Sequence, residues 1–267
     1  MNQHEASGID VLRQHCKTLR LPTAAQVVGE TLTTAQREDW PLETFLLHLL
    51  EQELAGRHQR RIDRLVKQSH LPAGKTLSTF DQKRLPLRVR RQLPQLRRGN
   101  LIDQAENILI FGLPGTGKTH LAAALGYEWI QNNYSVLFAP TYKLVGRLLR
   151  AKRDYELERE LRRLDRFQVV ILDDIGYVQQ SREEMEVLFT FLAERYERRS
   201  VVITSNLVFS EWDQIFKDPL TTAAAIDRVV HHSLIIEFGR EMKSFRAEEA
   251  ARRNHIEVGS SDSGDEQ

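Results

Sequence analysis

A single cysteine, Cys16, stands among 267 residues. Neither an internal disulfide nor a cysteine-built zinc site is therefore open to the chain. No apolar run approaches the roughly 20 residues that a bilayer crossing needs. The first residues lack the basic-then-apolar shape of a secretory leader, so the expected location is cytoplasmic. Internal repeats are absent. Acids are scarce between Gly56 and Arg98, where only Asp63 and Asp81 stand against thirteen Lys and Arg, while the twelve residues from Ile256 to Gln267 carry four acids and no Lys or Arg. The net charge of +1 thus averages over segregated blocks and says little about partners. An apolar fraction of 41% supports a substantial core, and 28% charged residues a soluble surface. The length allows one large or two modest domains.

The most informative stretch is Gly112-Leu113-Pro114-Gly115-Thr116-Gly117-Lys118-Thr119. It fits the phosphate-binding loop pattern of Gly, four residues, Gly-Lys and Ser/Thr. Glycines allow a tight turn and leave no side chain to block a polyphosphate. Backbone N–H groups then form an anionic nest, reinforced by a helix N-terminus. Lys118 is placed to reach the β- and γ-phosphates and Thr119 to hold Mg²⁺. The context supports this reading. Asn107 to Phe111 is an apolar strand candidate, and His120 to Tyr127 a good helix former. Strand, loop and helix in that order are the setting the motif requires. A nucleoside triphosphate is the implied ligand.

Upstream, residues 1–8 are polar and expected to fray. Two short helices are expected over 9–21 and 22–39. A longer one follows Trp40-Pro41, with Leu42, Phe45, Leu46, Leu49, Leu50 and Leu54 at spacings of three and four. That stripe is read as the core of a small helical domain rather than as a partner groove. The basic continuation, Arg57, Arg60, Arg61, Arg64 and Lys67, is read as a phosphate-tracking surface in preference to a solvated face. Residues 73–100, with Pro86, Pro94 and dispersed Arg, read as a connector carrying at most one helix. Its patch Thr76 to Asp81, including Phe80, fits packing on a nucleotide base and ordinary linker packing equally well.

Downstream, strands are expected at 135–139, 168–174, 200–206 and 234–238, alternating with helices at 142–152, 155–166, 183–198 and 222–232. Such alternation implies a mostly parallel sheet covered on both faces. Ligands of these sheets sit at the carboxyl ends of the strands. Four apolar residues precede Asp173, making it a Walker B aspartate for Mg²⁺. Asp174 then falls where a carboxylate can act as general base or purely electrostatically. Asn206 can orient the attacking water if its strand lies between the other two, and otherwise serves as a strand-end turn. Arg228 is either a solvated side chain or, in an assembly, an arginine finger reaching a neighbour's γ-phosphate. His231 and His232 are adjacent and would diverge on a helix, so no metal pair is expected there.

With these residues in place, the chain closely resembles the IstB-like ATP-binding proteins, AAA+ ATPases that assist insertion-sequence transposases and are related to DnaC-type helicase loaders and DnaA-type initiators. The resemblance is carried by the phosphate loop, Asp173-Asp174-Ile175-Gly176-Tyr177, Thr204-Ser205-Asn206 and Asp227 to His232. Phe45-Leu46-Leu47, Glu51, Glu53-Leu54, the Lys75 to Asp81 lead-in, Glu194 to Glu197 and Ser210-Glu211-Trp212 add to it. It implies an AAA+ phosphate-loop domain with a parallel five-stranded core sheet, preceded by a small all-helical N-terminal domain. The implied boundaries are 1–72 for the helical domain, 73–100 for the connector, 101–256 for the ATPase domain and 257–267 for a disordered acidic tail. Nucleotide contacts would come from Gly112, Pro114, Gly115, Thr116, Gly117, Lys118, Thr119 and His120, with Phe80 from the lead-in. Asn206 matches sensor 1 and Arg228 the arginine finger, while Asp174 replaces the commoner Glu. Ser244-Phe245-Arg246 is similar to the family's Ser-Tyr-Arg near its C-terminus. Residues 142–166 resemble the extra helical insertion that grips DNA in this clade, with Lys143, Arg147, Arg150, Lys152 and Arg153 as contacts. The resemblance further implies ATP and Mg²⁺ as cofactors, double-stranded DNA and a cognate IstA-like transposase as partners, and a homo-oligomer bridged by ATP. A helicase loader, a small-molecule kinase and a scaffold with negligible hydrolysis are the rival readings.

Overall fold

The computed structural model describes residues 3–175, 181–207, 212 and 229–239. Arg228, the Ser244-Phe245-Arg246 stretch and the acidic tail lie outside them. The chain divides into two compact units, Met1–Arg64 and Leu65–Gln267.

The first unit holds α1 (Gln3–Thr18), α2 (Pro22–Arg37) and most of α3 (Leu42–Ser69). Helix α1 begins earlier than the polar composition of 1–8 suggests. Pro22 occupies the first turn of α2, where its missing N–H costs nothing. The preceding Leu21 offers no side-chain cap. Glu53 of α3 supplies one instead, accepting from the N–H of Thr23 at 2.8 Å and of Ala24 at 3.0 Å. A carboxylate there also meets the positive end of the helix dipole. The close approach depends on Gly56, where a Cβ would lie 2.1 Å from Thr23 Oγ1.

Two expectations fail in this unit. Arg57 and Arg60 do not form part of a free basic face, because both bind Glu53, at 2.9 and 3.1 Å. The stripe does not supply the core as a unit either: Leu42, Leu46, Leu50 and Leu54 are exposed, and only Phe45 and Leu49 are half-buried. The covered face of α3 joins Phe45 and Leu49 of the stripe to Gln52 and Glu53. Fixing Glu53 over the α2 N-terminus turns the 42-46-50-54 row outward.

In the second unit, a 3₁₀ turn (Gln82–Arg84), α4 (Leu87–Arg98) and α5 (Asn100–Asp103) lead into the sheet. The 73–100 stretch thus carries one α-helix, α4, preceded by the 3₁₀ turn. Pro94 lies inside α4, whose Val89, Leu93 and Leu96 are buried. The remaining elements are β1 (Asn107–Phe111), α6 (Lys118–Gln131), β2 (Val136–Pro140), α7 (Thr141–Arg153), α8 (Leu157–Leu164), β3 (Val169–Asp173), α9 (Arg182–Arg195), β4 (Ser200–Ser205) and β5 (Ser233–Glu237). The five strands form one sheet in the order β2-β3-β4-β1-β5, and every neighbouring pair is parallel. β1 and β4 are buried at every residue, as central strands of a sheet covered on both faces must be.

Arg195 closes the amino ends of the sheet. It is 2% exposed and donates to the carbonyls of Leu164, Phe167, Gln168 and Ser200. Burial pulls its pKa down to about 9, which still leaves it charged at neutral pH. A charged fork is the one side chain able to serve four carbonyls at once.

The Glu53 cap sets a pH dependence. Burial opposes ionisation, but hydrogen bonds from Arg57, Ala24 and Thr23 and the charge of Arg60 hold its pKa below the usual glutamate value. A carboxyl with a depressed folded pKa stabilises above its unfolded value, and that contribution disappears as pH falls through the folded value. Glu53→Gln is therefore expected to cost about 1–3 kcal/mol at pH 7. The difference from wild type should shrink below about pH 4, as measured by urea unfolding across pH.

Candidate functional site

The carboxyl ends of β1, β4 and β3 lie side by side, since β4 pairs with both of the others. This strand order meets the condition that the sequence left open for Asn206. From the end of β1 the chain enters the loop at Gly112, whose N–H donates to Ser205 O at 3.2 Å. Gly115 and Gly117 adopt φ of +82° and +105°, backbone conformations that side chains resist. A Cβ on Gly112 would meet Phe238 at 2.7 Å, and one on Gly117 would meet Phe80 at 3.1 Å. The loop is thus a backbone cradle, delivered to the N-terminus of α6. Lys118 is buried and folds back on the loop, donating to Gly112 O at 2.7 Å and Leu113 O at 3.0 Å. Thr116 is buried and bonds Leu113 O at 2.8 Å, Thr119 is half-buried, and Pro114 is exposed.

The acids are held from β4. Thr204, fully buried, donates its hydroxyl to Asp173 Oδ1 at 2.8 Å and accepts from the N–H of Asp174 at the same distance. Its carbonyl takes the N–H of Ile175 at 3.0 Å. These bonds hold Asp174, exposed, in a left-handed turn with φ of +64°. Asp173 also accepts at its carbonyl from Thr141 Oγ1. Sequence reasoning gave Thr204 no role, although a polar residue closing an apolar strand was its signal. Asn206 follows, its Oδ1 buried and without a hydrogen-bond partner among the described residues.

Two observations test whether this site suits a magnesium-bound triphosphate. The cradle has room only for glycine at positions 112 and 117. The orphaned amide oxygen of Asn206 marks a polar interior that awaits a donor. Thr119 and Asp173 are hard oxygen donors of the kind Mg²⁺ takes. The residues fit the group.

Phe80 is 7% exposed, packed on Gly117 and edge-on to the His120 ring at 5.2 Å. His120 Nε2 donates to Thr76 O at 3.1 Å and lies equally close to Thr79 Oγ1. Burial, first, and the charge of Lys75 lower its pKa against the pull of the Thr76 carbonyl, a net shift that favours the neutral imidazole. The 76–81 lead-in therefore braces the outer side of the loop.

Of the DNA-contact candidates, Arg147 is paired with Glu160, Lys152 with Glu186 at 2.7 Å and Arg153 with Glu183 at 3.7 Å. Lys143 and Arg150 have no ion pair among the described residues. Both line a groove of about 560 Å³ together with Tyr142 and Arg147. His231 and His232 do not diverge. The helix stops at His231, and the rings lie 4.2 Å apart.

A phosphate loop on β1, an aspartate pair on β3 and a polar end on the intervening β4 define a phosphate-loop ATPase domain of the AAA+ type. The profile of the IstB-like ATP binding protein family matches residues 14–252. A Sinorhizobium fredii protein described as an insertion sequence ATP-binding protein is 43% identical over 237 residues, 88% of this chain and 80% of the relative. The corresponding IS21 protein of Pseudomonas aeruginosa is 37% identical, covering 86% of each chain. Among solved structures, the DnaC helicase loader superposes with a TM-score of 0.51 at 20% identity, over 62% of this chain and 98% of that one, a likeness of fold. The chain belongs to the IstB-like ATP-binding protein family, and ATP is its ligand.

If Phe80 braces the loop rather than stacking on the base, Phe80→Leu should keep ATP affinity within about threefold and Phe80→Ala should lose about tenfold, the equivalent of ~1.4 kcal/mol. Titration with a fluorescent ATP analogue checks this. Equal loss in both variants would indicate stacking.

Proposed function

We propose that this protein hydrolyses ATP, assembles on double-stranded DNA through ATP-bridged subunit contacts, and helps a transposase select and engage its target. The observation that carries the catalytic part is the convergence of Lys118, Asp173, Asp174 and Asn206 at three adjacent strand ends, with Thr204 linking two of them. The transposition part rests on relatives named for insertion sequences.

Lys118 would leave the Gly112 and Leu113 carbonyls for the β- and γ-phosphates, exchanging neutral acceptors for charged ones. Thr119 and Asp173 would hold Mg²⁺, which neutralises phosphate charge when bound. Asn206 would orient a water in line with the γ-phosphorus. Asp174 takes the proton as the water oxygen bonds to phosphorus, and the bridging oxygen departs on ADP. Asp174 is one methylene shorter than the usual Glu, so its left-handed turn sets how far the carboxylate reaches. Arg228, outside the described residues, is assigned by its place in the sequence to a neighbour's γ-phosphate. Such a finger is worth roughly 10³–10⁵ in rate.

The α7–α8 pair is the DNA-facing element in this reading, with Lys143 and Arg150 as its least committed cations. Hydrolysis at the subunit junction would weaken the assembly and release it. The test is ATP turnover by the wild type and by Lys118→Ala, with and without duplex DNA and transposase. Turnover stimulated by DNA and abolished in the variant supports the reading. DNA-independent turnover with binding to a hexameric helicase in place of transposase would favour a helicase loader.

Two outcomes are expected. Thr204→Val should lower single-turnover hydrolysis about 10–100-fold, as loss of a group that orients metal ligands does. Thr204→Ser should stay close to wild type, and metal-free ATP affinity should change little in either. DNA affinity should fall steeply with salt. The Lys143→Ala/Arg150→Ala double variant should flatten the log–log slope by about 0.9 per lost phosphate contact. Lys152→Ala/Arg153→Ala should change it less, since those cations already face α9 acids.

A further inference from the structure

At the opposite end of the sheet, three potential ligands converge. The helix carrying Val229 and Val230 ends at His231, and His232 turns the chain into β5. The N–H of Asn107 donates to His232 O at 2.7 Å, which pins that turn to the start of β1. Just beyond α9, Glu197 sits in a left-handed conformation with φ of +55° and presents Oε1 3.4 Å from His232 Nε2. The two imidazoles meet at 68° with centroids 4.2 Å apart. One ligand atom from each of Glu197, His231 and His232 lies within 4.8 Å of the others, and all three residues are exposed. Tyr196 adds its hydroxyl 3.2 Å from His231 Nδ1, which fixes that ring's orientation.

We propose that Glu197, His231 and His232 form a surface site for a divalent cation of the zinc type. Two imidazole nitrogens and one carboxylate oxygen are a recurring donor set for Zn²⁺, and nitrogen donors disfavour Mg²⁺ and Ca²⁺. A tetrahedral ion needs ligand atoms about 3.3 Å apart. The Glu197–His232 pair already meets that spacing, and the ligand atoms of all three residues lie within 4.8 Å of one another. Water completes the shell on the exposed side. The Tyr196 hydroxyl takes the place that a second partner of a ligating histidine usually has. The ligands come from two segments, the turn after α9 and the turn into β5, so a bound ion staples one to the other. This site is separate from the ATP site: parallel strands place the phosphate loop at their carboxyl ends and these residues at their amino ends. In sequence, His231 lies three residues after Arg228. An ion here would therefore act on the segment that carries that arginine without touching nucleotide.

The experiment uses the full chain without an affinity tag, because a histidine tag would itself bind zinc. Zn²⁺ is titrated in competition with a chromophoric chelator, and melting temperature is followed with and without Zn²⁺. Wild type should bind one Zn²⁺ per chain at micromolar concentration and melt higher in its presence. Glu197→Gln should weaken binding at least tenfold, and His231→Asn/His232→Asn should abolish both binding and the thermal shift. A His15→Asn/Cys16→Ser control should bind as wild type does. Co²⁺ added to wild type should give the visible bands of a site with nitrogen and oxygen ligands, a readout that needs no variant. No binding by wild type, or unchanged binding by either site variant, would overturn the proposal and leave Glu197–His232 as a simple ion pair. ATP affinity measured in parallel should be the same in all variants, so failure of the metal site is distinguishable from failure of the ATP site.

Discussion

The hydroxyl of Thr204 connects two of the three strands, β3 and β4, whose ends make the candidate site. It donates to the carboxylate of Asp173 and accepts from the backbone of Asp174, at 2.8 Å each. With its own carbonyl also engaged, Thr204 fixes the path of the chain as it leaves β3. That path includes a left-handed aspartate, a conformation that glycine, asparagine and aspartate tolerate better than other residues. Here a buried hydroxyl holds it. Strand order then does the rest, because β4 between β1 and β3 brings Asn206 beside both the phosphate loop and the acids.

Charge is used twice in this molecule, and the two uses compete. Arg57 and Arg60 neutralise a buried glutamate that caps a helix, Lys152 and Arg153 face acids of α9, and Arg195 gathers four carbonyls under the sheet. Cations committed in this way are poorer phosphate ligands, since each must first give up a partner. A count of basic residues therefore overstates the charge available to a phosphate ligand, and Lys143 and Arg150 stand out for having no ion pair among the described residues.

The site was legible in the sequence to the extent that it is local. Gly112 to Thr119 encodes its own geometry through backbone freedom and one lysine, and the apolar runs before Asp173 and Asn206 mark strand ends directly. What was not legible depends on register between distant segments. Nothing near Leu21 signals that Glu53, far along the chain, caps α2, and without that contact the exposed Leu42, Leu46, Leu50 and Leu54 were assigned to the core along with Phe45 and Leu49. The same holds for Thr204, whose role appears only when β4 is laid beside β3. His231 and His232 were both placed on a helix reaching 232, whereas the helix stops at His231, the His232 carbonyl takes the Asn107 N–H, and the rings lie 4.2 Å apart. Phe80 is the intermediate case: an apolar patch before the loop was visible, but its contact with Gly117 was not.

The central claim is that the triphosphate joins neighbouring copies on DNA. Particle mass in solution, measured on duplex DNA with Mg²⁺ and either a slowly hydrolysed ATP analogue or ADP, tests it most directly. The account requires large multi-subunit particles with the analogue and their loss with ADP. Particles of single-chain mass at saturating analogue and DNA, or equal assemblies in both nucleotide states, would contradict it.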